Sequence, residues 1–445
     1  VGHIDDKSLG YNILKQPVKW LFLLTHRRFT VHGLEHVPLD KPVIFAPNHQ
    51  NALLDPLAII FAGNFQPVFL ARADIFKNKI VAAVLRFLKI MPVYRIRDGK
   101  ETLDKNKGVF DQAVAILQNN NMLCLFPEAS HIGMKSMLPH KKAIPRIVFV
   151  AAEATSFELD IQIVPVGINY TSYFGFRRSV AIHFGPPIHT KPYYKIFLES
   201  GENKASTAMR DTIFEAVKKL VVHVPEKHNY PLYEQAFEMA SAGMLHLNHM
   251  PQNDFVAREQ WLTETITRRL KNLTSDDNDP LASATQYKIL KTKLKLSEKG
   301  ILPIAPRQFC GQFTLFALTL PLIIWGVLVN GLVFYLTRYP YRKKIEDPQF
   351  YSSFSFVLSL LAYPLWYTAV FCSLIHFGLS PGIGLLATLA AIPSGIVAWE
   401  SGQKIKCLQT RIKYKKLQKR QESFMTDFFR LRDELIRFYM SCDKK

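Results

Sequence analysis

Between about Lys19 and His189 the chain alternates short runs of β-branched and aromatic residues with longer runs whose apolar positions recur at helical spacing. That alternation predicts an α/β domain. The expected strands are Val43–Ala46, Val68–Ala71, Met122–Phe126, Ile161–Ile168 and Val180–Phe184. The expected helices between them are Pro56–Phe61, Lys79–Leu88 and Lys107–Gln118, and Gly185-Pro186-Pro187 closes this core. From Lys204 to Ser297 the pattern is helical and more polar. It is interrupted at Ser275-Asp276-Asp277-Asn278-Asp279-Pro280, an acidic, proline-ended loop that suits a boundary.

The last third changes character. Phe313–Leu336, Phe354–Phe377 and Ser380–Trp399 contain no Lys, Arg, Asp or Glu, and each has about the 20 residues that cross a bilayer core. An integral membrane protein is therefore expected. Lys404–Arg420 then carries eight basic residues and no acidic one, which predicts a helix lying against anionic headgroups, with a solvated charged helix as the alternative. Near the start, Trp20–Leu24 is flanked by Lys15, Lys19, Arg27 and Arg28, a composition suited to an interfacial helix or to one packed on its own domain. That apolar run is too short for a cleavable signal peptide. The expected organisation is an N-terminal helix over 1–30, an α/β domain over 31–200, a helical extension over 201–310, a membrane region over 311–400 and a basic tail helix over 401–445.

Charge sharpens this picture. The 445 residues hold 56 Lys+Arg against 36 Asp+Glu, a formal +20, with 48% hydrophobic residues. The excess calls for an anionic partner, and the apolar content selects a membrane face or a phosphorylated substrate over nucleic acid. No nucleic-acid partner is expected, because the basic residues cluster beside apolar segments rather than among aromatics on a soluble face. The five cysteines are scattered without metal spacing, and no His-Glu-x-x-His pattern occurs. Cys124, inside an expected strand, reads as core.

The candidate chemistry lies in Asn48-His49-Gln50-Asn51-Ala52-Leu53-Leu54-Asp55, directly after the first strand and before an apolar helix. A His at such a turn is reachable by a ligand. A carboxylate close by can hold the ring in one tautomer and stabilise its protonated form, as a general base requires. Helix capping is the alternative reading of the same spacing. Three further segments accompany it: Lys89–Arg97, ending in Arg95 and Arg97; Phe126-Pro127-Glu128-Ala129-Ser130-His131; and Val164-Pro165-Val166-Gly167.

With these four segments in order, residues from about Tyr11 to His189 resemble the glycerol-3-phosphate and 1-acylglycerol-3-phosphate (lysophosphatidic acid) acyltransferase family. The resemblance implies a mixed sheet flanked by helices, here followed by a helical segment and C-terminal membrane helices. It implies that His49 is the base and Asp55 its orienting carboxylate. Arg95 would contact the acceptor phosphate, Glu128 would help position the acceptor, and Pro165 would shape the acyl side. Lys141 and Lys142 lie where the family often has Lys near the phosphate. Two features depart from the family pattern. Five residues separate His49 from Asp55 where four are usual, and on an ideal helix neither spacing aligns the side chains, so the turn must supply the geometry. The third block has Ala129, Ser130 and His131 in place of Gly, Thr and Arg. The phosphate would then fall to His131, or to Arg95, Arg97, Lys141 and Lys142.

The implied reaction moves an acyl group from acyl-CoA or acyl-carrier-protein to a hydroxyl of a phosphorylated glycerolipid acceptor, 1-acylglycerol-3-phosphate or glycerol-3-phosphate, at a surface of membrane lipids. No metal or organic cofactor is called for. A non-catalytic lipid-binding membrane protein is the rival reading. A domain meeting those donors would face the cytoplasm. A tight hairpin at Gly378 would place the basic Arg338–Lys344 and the tail from Lys404 on that same side. A single crossing by Phe313–Leu336 would then separate the domain from its own basic flank. Pro321, Gly326 and Asn330-Gly331 are therefore expected to break this segment into a re-entrant or in-plane element, with three full crossings as the alternative.

Overall fold

The computed structural model describes residues 4–6, 8–94, 105–130, 132–245, 247–273, 279–302, 306–420 and 423–442, leaving out the side chains of 105–107, 306–309, 420, 423 and 424. It divides into two compact units. One comprises Val1–His223 with Asp347–Phe356; the other comprises Val224–Glu346 with Val357–Lys445.

The first unit runs α1 (Leu9–Thr25), β1 (His26–His32), β2 (Val43–Pro47), α2 (Leu54–Ala62), β3 (Val68–Arg72), α3 (Lys79–Phe87), β4 (Ile90–Val93), α4 (Lys105–Gln118), β5 (Met122–Cys124), α5 (Ala143–Ala154), β6 (Gln162–Tyr170), β7 (Arg178–Phe184), β8 (Ile188–His189), α6 (Lys191–Ser200) and α7 (Glu202–Lys218). The strands form a mixed sheet in the order β1-β7-β6-β2-β5-β3-β4, with β8 pairing β6. Parallel pairs join β2 to both β5 and β6, whereas β6 and β7 run antiparallel. The central strand β2 shows why these strands read as unbroken apolar runs. Val43 and Phe45 pack with α1 and α2 on one face, and Ile44 and Ala46 with α4, α5 and α7 on the other. Cys124 is buried in the first of these layers, where burial raises its thiol pKa well above the ordinary value.

Three elements differ from the sequence expectation. The N-terminal helix stops at Thr25, so Arg27 and Arg28 lie in the parallel edge strand β1. His26 closes the helix: its backbone N–H and its ring Nδ1 both reach Phe22 O, the ring at 2.7 Å. One face of α1 packs through Phe22, while Leu9, Ile13 and Trp20 remain exposed. The unit also extends past residue 200 to His223, because α7 inserts Met209, Ile213 and Val217 into the core. Finally, α5 lies where no element is expected, with Ile144, Ile147, Val148 and Ala151 forming its buried stripe.

The second unit begins with α8 (Tyr230–Ala242), α9 (Phe255–Lys271), α10 (Pro280–Lys293) and α11 (Glu298–Ile301). It continues with α12 (Pro306–Leu336), most of α13 (Tyr351–His376), α14 (Pro381–Arg420) and α15 (Ser423–Ser441). Three of these helices are long and apolar enough to cross a membrane: Cys310–Leu336, Pro348–His376 and Pro381–Lys419. The basic stretch after Trp399 is the continuation of α14, and α15 folds back onto the unit. Phe428 stacks on Tyr287, and the Tyr439 hydroxyl donates to Leu232 O at 2.7 Å.

The expected break in the first apolar segment is absent. α12 is continuous through Pro321, Gly326 and Asn330-Gly331. Two of these residues, Gly326 and Asn330, instead serve helix packing. Gly326 lies so close to α14 that a Cβ there would collide with the Ser394 carbonyl. Asn330 Nδ2 donates to Gly326 O at 3.1 Å and to Ala391 O at 2.9 Å, and its Oδ1 accepts from Tyr367 at 2.8 Å. Small residues that admit a neighbouring backbone, and a polar one that bonds across it, are what helix pairs in an apolar environment select.

Candidate active site

The site is built on the carboxyl end of β2, near the middle of the sheet. Beyond Pro47 the strand's pairing is carried on by a side chain: Asn48 Nδ2 donates to Ile168 O at 3.1 Å, and Asn48 Oδ1 accepts from Ile168 N at 2.7 Å. This fixes the point at which His49 leaves the sheet. The next residues form a tight turn with Ala52 in the left-handed region, at φ 38°, a conformation that costs a non-glycine residue. Asp55 is the second residue of α2, with Pro56 after it.

The additional residue between His49 and Asp55 is absorbed in this turn. His49 Nδ1 and Asp55 Oδ2 are 2.9 Å apart. The same oxygen accepts from Gln50 N at 2.8 Å and Asn51 N at 2.7 Å, so one carboxylate also caps the turn. Capping and catalysis, the two readings of the spacing, are therefore compatible. Asp55 is fully buried, and its charge is met by these donors. The His49 ring lies against Phe126, with centroids 4.2 Å apart, and its side chain retains 20% exposure. A ring whose Nδ1 donates to a carboxylate carries its proton there and presents Nε2 as the basic nitrogen.

A second ring of residues surrounds the carboxylate, and of these only Asn51 lies in a segment that the sequence marks. Tyr170, at the end of β6, donates its hydroxyl to Asp55 Oδ1 at 2.8 Å. The Arg178 guanidinium lies over the Tyr170 ring, 5.2 Å from its centroid. With the Asn51 amide turned so that its oxygen faces Arg178, that oxygen accepts from both terminal guanidinium nitrogens at 3.2 Å. Arg178 Nε donates to His26 Nε2 at 3.3 Å. No local signal marks Tyr170, Arg178 and His26, which reach the turn only through strand pairing.

Glu128 lies beneath the turn and is buried. Its Oε1 accepts from His49 N at 3.2 Å, and its Oε2 from Leu138 N at 3.0 Å and Gln50 Nε2 at 3.4 Å. These contacts tie Glu128 to the backbone N–H of His49 and to the Gln50 side chain within the same turn. Lys141 is exposed, and its backbone N–H donates to Pro127 O. Lys142 Nζ donates to Asn203 Oδ1 on α7 at 2.6 Å. Arg95, Arg97 and His131 lie outside the described residues.

Residues 28–169 match the family model described as Acyltransferase, a span that contains His49, Asp55 and Glu128. The chain thus contains a stretch similar to that acyltransferase family. Over 121 residues it is 26% identical to an uncharacterized acyltransferase of Schizosaccharomyces pombe, which covers 26% of this chain and 18% of that protein. The chain thus spans about a fifth of that relative's length. The chain also has a likeness to the crystal structure of PlsC, the 1-acyl-sn-glycerophosphate (LPA) acyltransferase of Thermotoga maritima. It has 21% identity and a TM-score of 0.34, and covers 47% of this chain and 77% of that one.

Proposed function

We propose that this protein transfers a fatty acyl group from acyl-CoA or acyl-carrier-protein to a free hydroxyl of 1-acylglycerol-3-phosphate, with His49 as general base. The observation that carries the reading is the 2.9 Å contact between His49 Nδ1 and a fully buried Asp55 carboxylate, in a turn whose His side chain remains partly exposed. The acceptor hydroxyl attacks the thioester carbonyl as its proton passes to His49 Nε2. Asp55 stabilises the resulting imidazolium, and collapse of the tetrahedral species expels a thiolate that takes the proton back. The products are an ester and a free thiol, and no residue of the chain is acylated.

Arg95, with Arg97, His131, Lys141 or Lys142, would hold the acceptor phosphate, which fixes the hydroxyl relative to the base. The engagement of Lys142 with Asn203 favours Lys141 as the more available of the two lysines. The domain would face the cytoplasm, where such thioesters are made, with the apolar helices in the membrane that holds the acceptor. Exposed apolar residues on α1, and Ile80, Val84 and Phe87 on α3, suit a lipid surface. The deciding experiment replaces His49 with Ala in the full chain and follows labelled acyl transfer to 1-acylglycerol-3-phosphate and to glycerol-3-phosphate. A fall of about 10²–10⁴-fold is expected, and unchanged turnover would overturn the reading.

A further inference from the structure

The turn that carries His49 is also held from a distant part of the chain. Ser353, in the first turn of α13, is buried, and its Oγ accepts from Leu53 N at 3.1 Å across 300 residues. Leu53 immediately precedes α2, and its own side chain supplies no cap. N–H groups at a helix start have no partner inside the helix, so the Ser353 hydroxyl answers a need of the backbone. Leu53 also follows Ala52, whose left-handed conformation persists only where its surroundings over-determine it.

The neighbouring serine holds the other side of the same structure. Ser352 Oγ donates to Tyr173 O and accepts from Arg178 NH1, both at 3.1 Å. Arg178 lies over the Tyr170 ring, and Tyr170 donates to Asp55. Successive helical residues point about 100° apart, which lets two adjacent hydroxyls reach two different elements. Phe356, one turn further on, is buried in the layer formed by α1, α2 and the sheet, and anchors the helix start there.

We infer that the first turn of α13 positions the acyl-transfer turn, with Ser353 holding Leu53 and, through it, the His49–Asp55 pair. The inference rests on the reading of His49 as base. It makes Ser353 a positioning residue, since it acts through the backbone of the turn. It also means that the base depends on the head of a helix long and apolar enough to cross a bilayer.

The test uses the full chain in lipid vesicles, with palmitoyl-CoA and 1-acylglycerol-3-phosphate. Ser353→Ala should lower kcat by about tenfold, the scale of one hydrogen bond left unmade. KM for both substrates should hold, and the pH profile of kcat/KM should shift as the base loses its orientation. Ser353→Thr, which keeps the hydroxyl, should restore kcat. Wild-type kcat and pH profile in Ser353→Ala would overturn the inference. So would equal losses in the Ala and Thr variants that track a matching fall in melting temperature, since packing alone would explain them. His49→Ala is measured alongside. If it turns over like wild type, the base reading fails; if it is inactive while Ser353→Ala is normal, only the positioning role fails.

Discussion

Tyr170 donates to Oδ1 of Asp55 at 2.8 Å across 115 residues of chain, while Oδ2 of the same carboxylate takes Nδ1 of His49 at 2.9 Å. With both oxygens engaged, the carboxylate cannot rotate away from the ring. Burial, reinforced by the Asp55 charge, raises the Tyr170 pKa well above its ordinary value, so the phenol remains a donor throughout the useful pH range.

Tyr170→Phe keeps the ring and removes that donor. A hydrogen bond to a charged group is worth roughly 1.5–3 kcal/mol, so kcat should fall by about 10–100-fold, with KM for the thioester little changed. Steady-state kinetics on the two proteins checks this, and an unaltered kcat would mean that His49 and the backbone donors orient Asp55 unaided.

Asp55→Asn should lower kcat by about 10²–10⁴-fold, because a neutral amide neither stabilises the imidazolium nor selects the Nδ1–H tautomer. Single-turnover acyl transfer would measure it. A loss smaller than about tenfold would leave Asp55 as only a cap for the turn.

His26 sets a pH dependence of stability. Its Nδ1 bonds to Phe22 O, and its Nε2 accepts from Arg178. Burial first, and then the Arg178 charge, lower its pKa from 6.5 to about 3. Between those values the unfolded chain binds the proton and the native one does not, so stability rises with pH. The contribution is complete above about 6.5 and is lost as the pH falls towards 3. His26→Gln keeps an acceptor for Arg178 and does not titrate. Melting temperatures in detergent at pH 4.5 and 7.5 should therefore differ less in this variant than in wild type.

Gly326→Leu should weaken the packing between α12 and α14, since its side chain would meet the Ser394 carbonyl. Overpacking costs about 1–3 kcal/mol, and the adjoining bond from Asn330 to Ala391 would be strained. The expected readout is a melting temperature in detergent lowered by several degrees. A wild-type value would show that the two helices separate without cost.

How far the sequence reached depended on how local each feature is. Strand β2, the turn at His49 and the apolar length of α12 are each encoded within a few neighbouring residues, by side-chain periodicity or spacing, so they were legible. The His49–Asp55 contact was expected from the turn, and only the left-handed Ala52 explains how the additional residue is absorbed. Tyr170 and Arg178 were not legible. They reach Asp55 because β6 pairs with β2, Pro47 against Val166, and β7 with β6, Tyr170 against Val180, registers that no local pattern expresses. The same holds for Ser353, brought to Leu53 across 300 residues. In α12, Pro321, Gly326 and Asn330 carried a local signal for a break, yet the helix runs through all three, and Gly326 and Asn330 pack it against α14. A glycine or asparagine weakens a helix standing alone, yet against a neighbouring helix it permits close approach and supplies a hydrogen bond, and which effect prevails is decided by what lies opposite.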